Sequence, residues 1–332
     1  MKVLLFGNKI FSVDMLWGFL QAGCDARIIS AVTASQMDKI LSDLSPDLLI
    51  TFGAPLEFKH DVLELIGNRA PSHMKYIHWD TDGISSQYFR SISGDGIEMD
   101  IIYLAKPDLV LTICPEMLEL VRSKNFACER MHFAYGPTSH YPVKTIYEAD
   151  MGKYLINLVG CSYFMIVQAH PDHYRYVSLE ILLKPLLENN YQVHFYGDRG
   201  YQSVIKTVLN IDVPSQYFHG YMPYERTNHL YNSSFINLVT QNHKQTVTKR
   251  TFEILGAGGF VLSPDNAGIR ELFTPGKDLA VSSSPEQTLE LVEFYKTHPD
   301  EYRQIRENAF LSVQNHTYKQ RAEYILSKYA QL

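Results

Sequence analysis

Short apolar runs alternate with segments of helical spacing along the first half of the chain. The apolar runs predict buried strands at residues 2–6, 27–32, 47–52, 75–79, 108–113 and 130–133. Between them, apolar residues recur three and four positions apart, which is typical of helices that pack on a sheet. Strands separated by helices predict a parallel sheet covered on both faces, with ligands bound at the carboxyl ends of its strands.

A second series of the same kind follows a break in the pattern. Glycine and proline interrupt the alternation from Tyr135 to Pro142, and we place a linker between two domains from there to Tyr154. The apolar runs resume at residues 155–159, 192–196, 235–238, 260–263 and 279–281. The sequence therefore predicts an α/β protein of two Rossmann-like domains that face a central cleft.

Composition narrows the class of protein. The chain has 332 residues, of which 45% are hydrophobic and 20% charged, as in soluble globular proteins. Its net charge of −6 provides no general attraction to nucleic acid, and no apolar segment approaches the roughly 18 residues of a membrane span. Isolated cysteines and the absence of a secretory signal pattern favour reduced thiols and a cytoplasmic location. We expect neither a nucleic-acid partner nor a membrane span.

Several motifs that would indicate other chemistry are missing. Neither half has a G-x-G-x-x-G fingerprint after its first strand or a P-loop, so a dehydrogenase or a P-loop enzyme is disfavoured. There is no G-x-S-x-G elbow and no cluster of His and Cys with zinc spacing. The candidate chemistry is left to loops at strand ends, without a bound metal or cofactor.

Residues 241–276 contain the main candidate site, predicted as a loop, a helix over 248–257, a strand and a second loop that carries Glu271. His243, Lys244, Lys249 and Arg250 gather at the predicted start of the helix. Cations there are unfavourable by roughly 0.3–1 kcal/mol each when exposed, and a bound anion reverses that sign. The pattern favours a diphosphate site. The alternative is an exposed pair between Lys249 and Glu253, four residues apart.

Other polar residues are candidates to bind the same ligand. Glu253 has the chemistry to accept both hydroxyls of a ribose, and its alternative is a solvated glutamate. Arg175, at a predicted helix start, is a second candidate for phosphate, with solvent exposure the alternative. Tyr221 is a candidate to border a base, although a core tyrosine is the ordinary outcome. For Glu271, helix capping or solvent exposure is the alternative to a functional role.

A second cluster follows the predicted strand at residues 75–79. His78, Asp80 and Asp82 place three titratable groups within five residues at a strand end, where reacting groups tend to lie. A structural role is the alternative, because a single histidine at a strand end is usually structural. We also expect an irregular, mobile loop over residues 84–96.

The second half resembles the bacterial spore-maturation CgeB-type glycosyltransferase-like proteins, which are group-1-like transferases of GT-B architecture. The matching segments are GYMPYERTNHLYNSSFINLV (220–239), KRTFEILGAGGFVLS (249–263), IRELFTPGKDLAV (269–281) and QNHTYKQRAEYIL (314–326). IHWDTDG (77–83) is a shorter match in the first half. The resemblance implies an acceptor-side domain at 1–147, a nucleotide-sugar domain at 148–313, and a last helix at 314–332 that packs back on the first domain.

The resemblance also implies an activity. A sugar would pass from a nucleotide-diphosphate sugar, with UDP the expected nucleotide, to an unknown acceptor glycan or protein at a spore or other cell surface. Glu253 would bind the ribose, and Arg250 with the amides near Thr246 and Thr248 the diphosphate, without metal. The sugar would lie toward His78 and Asp80.

The chain departs from the family pattern at a position that bears on the stereochemistry of transfer. Many retaining relatives carry a glutamate eight residues before the ribose glutamate, where this chain has Gln245. Retention is the favoured expectation, and inversion would require a base such as Asp80 or His78. A nucleotide-sugar epimerase and a non-catalytic nucleotide- or sugar-binding protein of a spore coat are the alternatives to a transferase.

Overall fold

The computed structural model describes residues 1–31, 33–54, 59–68, 73–83, 92–143, 155–160, 173–198 and 200–332. The chain forms two compact units, one made of Met1–Phe133 with Thr317–Leu332 and the other of Ala134–His316. Most of the predicted linker, at 144–154, lies outside the described residues, and so do Cys161 and positions 84–91 of the predicted mobile loop.

The first unit is built on one parallel sheet of six strands. Its strands are β1 (Lys2–Gly7), β2 (Asp25–Ile29), β3 (Leu48–Phe52), β4 (Lys75–Asp80), β5 (Leu109–Thr112) and β6 (Cys128–Arg130). The helices between them are α1 (Lys9–Gln21), α2 (Ala34–Leu44), α3 (His60–Gly67), α4 (Ile97–Ala105) and α5 (Pro115–Ser123). The strand order is β2-β1-β3-β4-β5-β6.

The second unit is built on a parallel sheet of five strands. They are β7 (Ile156–Val159), β8 (Val193–Tyr196), β9 (Ile236–Leu238), β10 (Val261–Pro264) and β11 (Ala280–Ser282). The helices are α6 (Tyr174–Leu182), α7 (Lys184–Glu188), α8 (Tyr201–Leu209), α9 (Thr227–Ser233), α10 (Lys249–Gly256), α11 (Ala267–Leu272), α12 (Pro285–Thr297) and α13 (Pro299–Ser312). The strand order is β11-β10-β9-β7-β8.

Both sheets have the same winding. In each, the chain starts at an inner strand, adds the second strand on one side, and then places the third, fourth and fifth strands on the other side. The direction of winding reverses between β1 and β3 in the first unit and between β7 and β9 in the second. In sheets of this kind, ligands bind at the carboxyl ends of the strands beside this reversal. The predicted class of two Rossmann-like α/β domains is confirmed.

The last helix, α14 (Tyr318–Tyr329), belongs to the first unit. A capping box formed by Thr317 and Gln320 fixes its start. It lies against α1 so closely that a Cβ atom at Gly18 would overlap the carbonyl group of Tyr318. Arg321 then donates hydrogen bonds to the carbonyl oxygens of His132 (2.7 Å) and Phe133 (2.8 Å). The helix is therefore a structural part of the first unit.

One predicted helix is divided in the structure. The sequence predicts a single helix over 178–188, but the chain forms α6 and α7 with a break at Leu183. Pro185 has no backbone N–H to bond to the carbonyl of Ile181. The hydroxyl of Thr288 donates to that carbonyl instead, at 2.8 Å.

Candidate functional site

The loop after β9, residues 241–248, lies beside the reversal point of the second sheet. Gln241 is fully buried and anchors the beginning of this loop. Its Nε2 donates to the hydroxyl groups of Thr251 and Ser263, both at 3.0 Å. Its Oε1 accepts the backbone N–H of Thr248 at 2.8 Å. One side chain thus joins the loop to the start of α10 and to β10.

The same loop is held from the other side by the start of α11. Asn266 caps that helix through Oδ1, which accepts from the N–H of Ile269 at 2.7 Å. Its Nδ2 donates to the carbonyl oxygens of His243 (3.1 Å) and Thr246 (3.0 Å). A Cβ atom at Gly268 would overlap the backbone of Gln245. The loop conformation is therefore fixed by the protein itself.

The four predicted cations differ in their exposure and in their partners. Lys244 is exposed, and the Nδ1 atom of His243 accepts the N–H of Gln245 at 3.2 Å. Lys249 and Arg250 instead contact neighbouring buried side chains. The diphosphate site expected from these four residues stays a prediction.

Lys249, Tyr224 and Glu253 form a closed triangle of hydrogen bonds. The Nζ atom of Lys249 lies 2.9 Å from Glu253 Oε1 and donates to the Tyr224 hydroxyl at 2.9 Å. That hydroxyl donates to the same Oε1 at 3.0 Å. The Lys249 and Glu253 side chains are 7% and 6% exposed, so the alternative of a solvated surface pair is wrong.

Electrostatics keeps Glu253 ionised. Burial raises the pKa of this carboxyl, but the charges of Lys249, His140 and Arg250, together with the hydrogen bond from Lys249, outweigh burial and hold the pKa at about 2. The site therefore carries a buried carboxylate at neutral pH.

Arg250 has one unused donor. Its guanidinium bonds to the hydroxyl of Tyr231, and this partner raises the arginine's pKa against the effect of burial. Its Nε atom is buried and has no hydrogen-bond partner among the described residues. A buried donor without a partner is costly, so this position fits an acceptor supplied by a ligand.

Residues that the sequence did not single out complete the site. His140 bonds through Nε2 to the Thr227 hydroxyl at 3.0 Å, and its ring packs on Tyr224 and Tyr231 with centroids 5.3 and 5.7 Å apart. The neighbouring Tyr141 N–H donates to Asn228 at 3.0 Å. These partners are more than eighty residues apart in the chain, and no local pattern links them. His140 and Tyr141 lie outside every matched segment, whereas their partners Tyr224, Thr227, Asn228 and Tyr231 lie within the matched segment at 220–239.

Arg175 is brought to the same loop. Its guanidinium donates to Asn242 Oδ1, with Nε at 2.9 Å, and its backbone N–H donates to the capping side chain of His173 at 3.0 Å. Burial, followed by the charges of Arg175 and His243, lowers the pKa of His173 to about 4. Arg175 and His243 therefore both lie near His173.

The remaining residues that the sequence predicts to contact the ligand differ in their exposure and secondary structure. Thr246 is buried and Thr248 precedes the first residue of α10 as its N-cap. Tyr221 is 76% exposed, so the alternative of a core tyrosine is wrong. Glu271 is exposed on α11, and the predicted loop around it is a helix because Asn266 caps that segment.

In the first unit, Asp80 ends β4 and is fully buried. It accepts hydrogen bonds from the hydroxyl of Thr112 (2.6 Å) and from the backbone N–H groups of Gly83 (2.7 Å) and Asp82 (3.1 Å). Burial raises its pKa, while these hydrogen bonds oppose the rise. Its carboxyl group shapes the turn after β4 and has no exposed surface.

His78 is equally enclosed. Its Nδ1 atom lies 2.7 Å from the Thr51 hydroxyl and its Nε2 atom 2.9 Å from Glu98 Oε2. Burial lowers the pKa of His78 to about 3. Burial, and then the charges of Asp80 and Asp82, raises the pKa of Glu98 well above its ordinary value. The shared proton therefore resides on Glu98, and the pair is neutral.

The part of the chain that the structure describes contains neither a candidate metal site nor a helix that could span a membrane. No three His, Cys, Asp or Glu side chains there are grouped so as to hold a metal ion. None of its helices has the length and apolar character needed to cross a membrane.

A model of the glycosyl transferase-like family matches residues 164–327. The part of the chain that is similar to this family includes the loop at 241–248 and the helix α10. No curated protein sequence matches the chain. The narrower likeness to CgeB-type proteins remains a prediction.

Solved structures share the whole architecture. Sucrose-phosphate synthase from Thermosynechococcus elongatus aligns with a TM-score of 0.69 and 12% identity over 100% of this chain and 98% of that chain. Anabaena HepE in complex with UDP aligns with a TM-score of 0.67 and 10% identity over 100% of both chains. UDP-GlcNAc 2-epimerase from Neisseria meningitidis aligns with a TM-score of 0.55 and 12% identity over 100% of both. The fold is that of the GT-B glycosyltransferases.

Proposed function

We propose that the protein is a glycosyltransferase that uses a UDP-sugar donor bound by the unit Ala134–His316. The observation that carries the proposal is a preformed loop beside the sheet's reversal point, with a buried, ionised Glu253 next to it, within the region that the family model matches. Glu253 would accept the ribose hydroxyls. The exposed ring of Tyr221 is available to stack on the base.

The diphosphate would lie at the start of α10. The first amides of a helix have no acceptor inside it, and Arg250 Nε also lacks a partner among the described residues. Arg175, His243 and Lys244 add positive charge along the same loop. These groups would stabilise the leaving diphosphate, so we propose that transfer needs no metal ion.

We propose that transfer retains the anomeric configuration. The bond from the sugar's anomeric carbon to the diphosphate oxygen breaks, and the acceptor hydroxyl forms its bond on the same face. The hydroxyl proton passes to the departing phosphate oxygen, so no side-chain base is needed. Gln245 can donate a hydrogen bond to a sugar hydroxyl in place of a carboxylate. NMR of the anomeric proton in the first product distinguishes retention from inversion.

The acceptor is proposed to be a glycan or protein of a cell or spore surface, modified in the cytoplasm. This part rests on the sequence likeness to CgeB-type proteins. A panel of glycan and peptide acceptors, assayed for UDP release from several UDP-sugars with excess EDTA, tests both the transferase activity and its independence from metal. UDP release that requires added divalent metal would contradict the second point.

An epimerase is the second candidate, favoured by the alignment with UDP-GlcNAc 2-epimerase over the whole chain. Incubation with a UDP-sugar and no acceptor separates the two activities. A transferase gives only slow hydrolysis, whereas an epimerase converts the donor to an isomeric UDP-sugar. Tight UDP binding with neither product would instead indicate a non-catalytic binding protein.

A further inference from the structure

Both donors in the triangle at α10 converge on one oxygen of Glu253. Lys249 Nζ and the Tyr224 hydroxyl lie 2.9 and 3.0 Å from Oε1. Among the described residues, no hydrogen bond reaches the second oxygen, Oε2. The carboxylate is therefore held at one end and available at the other.

Stability alone does not account for this arrangement. Lys249 occupies the first position of α10, where a cation opposes the helix dipole. A buried ion pair must also overcome the desolvation of both charges, and apolar side chains of similar volume often serve stability as well or better. Tyr224 adds a second constraint, because Lys249 lies over its ring at 4.5 Å from the centroid.

Tyr224 is itself fixed from a different segment. It begins the turn Tyr224–Arg226, which follows the exposed Tyr221 after Met222 and Pro223, and the ring of His140 packs against its edge. The Thr227 hydroxyl donates to the Tyr224 carbonyl at 2.6 Å. The position of the Tyr224 hydroxyl, and hence the direction of the Glu253 carboxylate, is set before any ligand enters.

Resting on the proposed function, we propose that Lys249 and Tyr224 are positioning residues that clamp Oε1 of Glu253 and so present Oε2, as an ionised acceptor, to the two hydroxyl groups of the donor's ribose. Selectivity for ribonucleotides over deoxynucleotides then depends on Lys249, although Lys249 need not touch the nucleotide.

Among the residues that the structure describes, five charged or titratable groups act on Glu253. They are Lys249 and Arg250 on its own helix, Tyr224 in the preceding turn, Tyr231 on α9, and His140 in the segment before the second sheet. Lys249 is the only one of these five that both pairs with Glu253 by charge and donates a hydrogen bond to it. Its removal therefore leaves a buried carboxylate with a raised affinity for protons.

The experiment compares binding of UDP and 2′,3′-dideoxyuridine diphosphate by calorimetry from pH 5.5 to 8. We expect the wild-type protein to prefer UDP about tenfold or more, independently of pH, because charged hydrogen bonds to the ribose are lost in the analogue. In Lys249→Met the preference should fall below about threefold at pH 5.5 and recover partly toward pH 8. Lys249→Arg should restore the preference, and Tyr224→Phe should lower it to an intermediate value.

Lys319→Met provides a matched control. Lys319 and Glu323 have the same order and spacing on α14, but their side chains are 47% and 51% exposed. This variant should keep the wild-type preference at every pH. If Lys249→Met fails to fold, as judged by circular dichroism, Tyr224→Phe and Lys249→Arg carry the same comparison.

The outcomes separate the two proposals. Equal wild-type affinity for UDP and the dideoxy analogue would remove the ribose role of Glu253, and with it this inference. A wild-type preference that survives in Lys249→Met and Tyr224→Phe at all pH values would leave the proposed function intact and overturn the positioning role.

Discussion

Each unit buries a carboxyl group beside its parallel sheet, but the pKa of that group shifts in opposite directions in the two units. In the first unit, Glu98 is buried beside His78 and near Asp80 and Asp82, and its pKa is raised well above the ordinary value. In the second unit, Glu253 is buried beside Lys249, and its pKa falls to about 2. The neighbours, rather than depth of burial, decide whether the proton stays.

Because of this difference in charge, the two sites can perform different functions. A neutral Glu98–His78 pair inside a hydrogen-bond network can fix the turn after β4, but it presents no charge to a ligand. An ionised Glu253 can accept hydrogen bonds from hydroxyl groups, and the cations around it can bind phosphate. The predicted catalytic roles of His78 and Asp80 would require the turn after β4 to rearrange, because neither side chain has exposed surface.

The largest expected effect is on stability in the second unit. Glu253→Gln removes the partner of a buried lysine, and we expect it to lower the free energy of unfolding by about 3–5 kcal/mol. Urea unfolding at pH 7 measures the change. A loss of less than about 1 kcal/mol would mean that Lys249 finds solvent, and the contrast between the units would weaken.

The next effect is on affinity. Arg250→Ala should weaken UDP binding by about 1.5–3 kcal/mol, the range for a hydrogen bond to a charged group. Calorimetry with Arg303→Ala as the control tests this, because Arg303 pairs with Asp300 on the exposed surface of α13. Unchanged affinity in folded Arg250→Ala would place the diphosphate elsewhere.

A smaller effect concerns pH. The native His78–Glu98 pair holds one proton, whereas the unfolded pair holds two below about pH 4.5, one up to about 6.5 and none above. This pair should therefore contribute most stability between these values, with a loss of up to about 1.4 kcal/mol per pH unit outside them. Urea unfolding from pH 4 to 8.5 measures the profile. Stability that rises steadily above pH 6.5 relative to Glu98→Gln would contradict a neutral pair.

The smallest effect is expected from Glu98→Gln itself. An amide has the size of a protonated carboxyl group and can donate to His78 Nε2, so the cost at pH 5.5 should be below about 1 kcal/mol. The same urea experiment measures it. A cost as large as that of Glu253→Gln would show that Glu98 is ionised and that the two carboxyl groups are alike.

The fold followed from the sequence because alternation is a local signal. Predicted strand and helix bounds lie within a few residues of the observed ones, as for the helix expected at 248–257 and found at Lys249–Gly256. The one divided helix, at Leu183, was missed although Pro185 was visible, because the compensating hydroxyl of Thr288 lies about a hundred residues away.

The site was harder to predict because the burial of its side chains depends on residues that are far apart in the chain. Lys249 and Glu253 were recognised as a pair at helical spacing, but their enclosure depends on Tyr224 and His140, which topology alone brings near. Glu98 was missed for the same reason, since it reaches His78 from a helix twenty residues further along the chain. Sequence reasoning found which residues carry charge and did not find which of them meet.

The contact between α1 and α14 has a consequence for biosynthesis. The groove at Gly18 receives Tyr318 only after a ribosome has made both sheets, because the helix that fills it follows them in the chain. Until then the early half of the nascent polypeptide would carry an uncovered helix face while the later half folds. A pause or truncation before this helix is made would therefore harm the part of the unit made first.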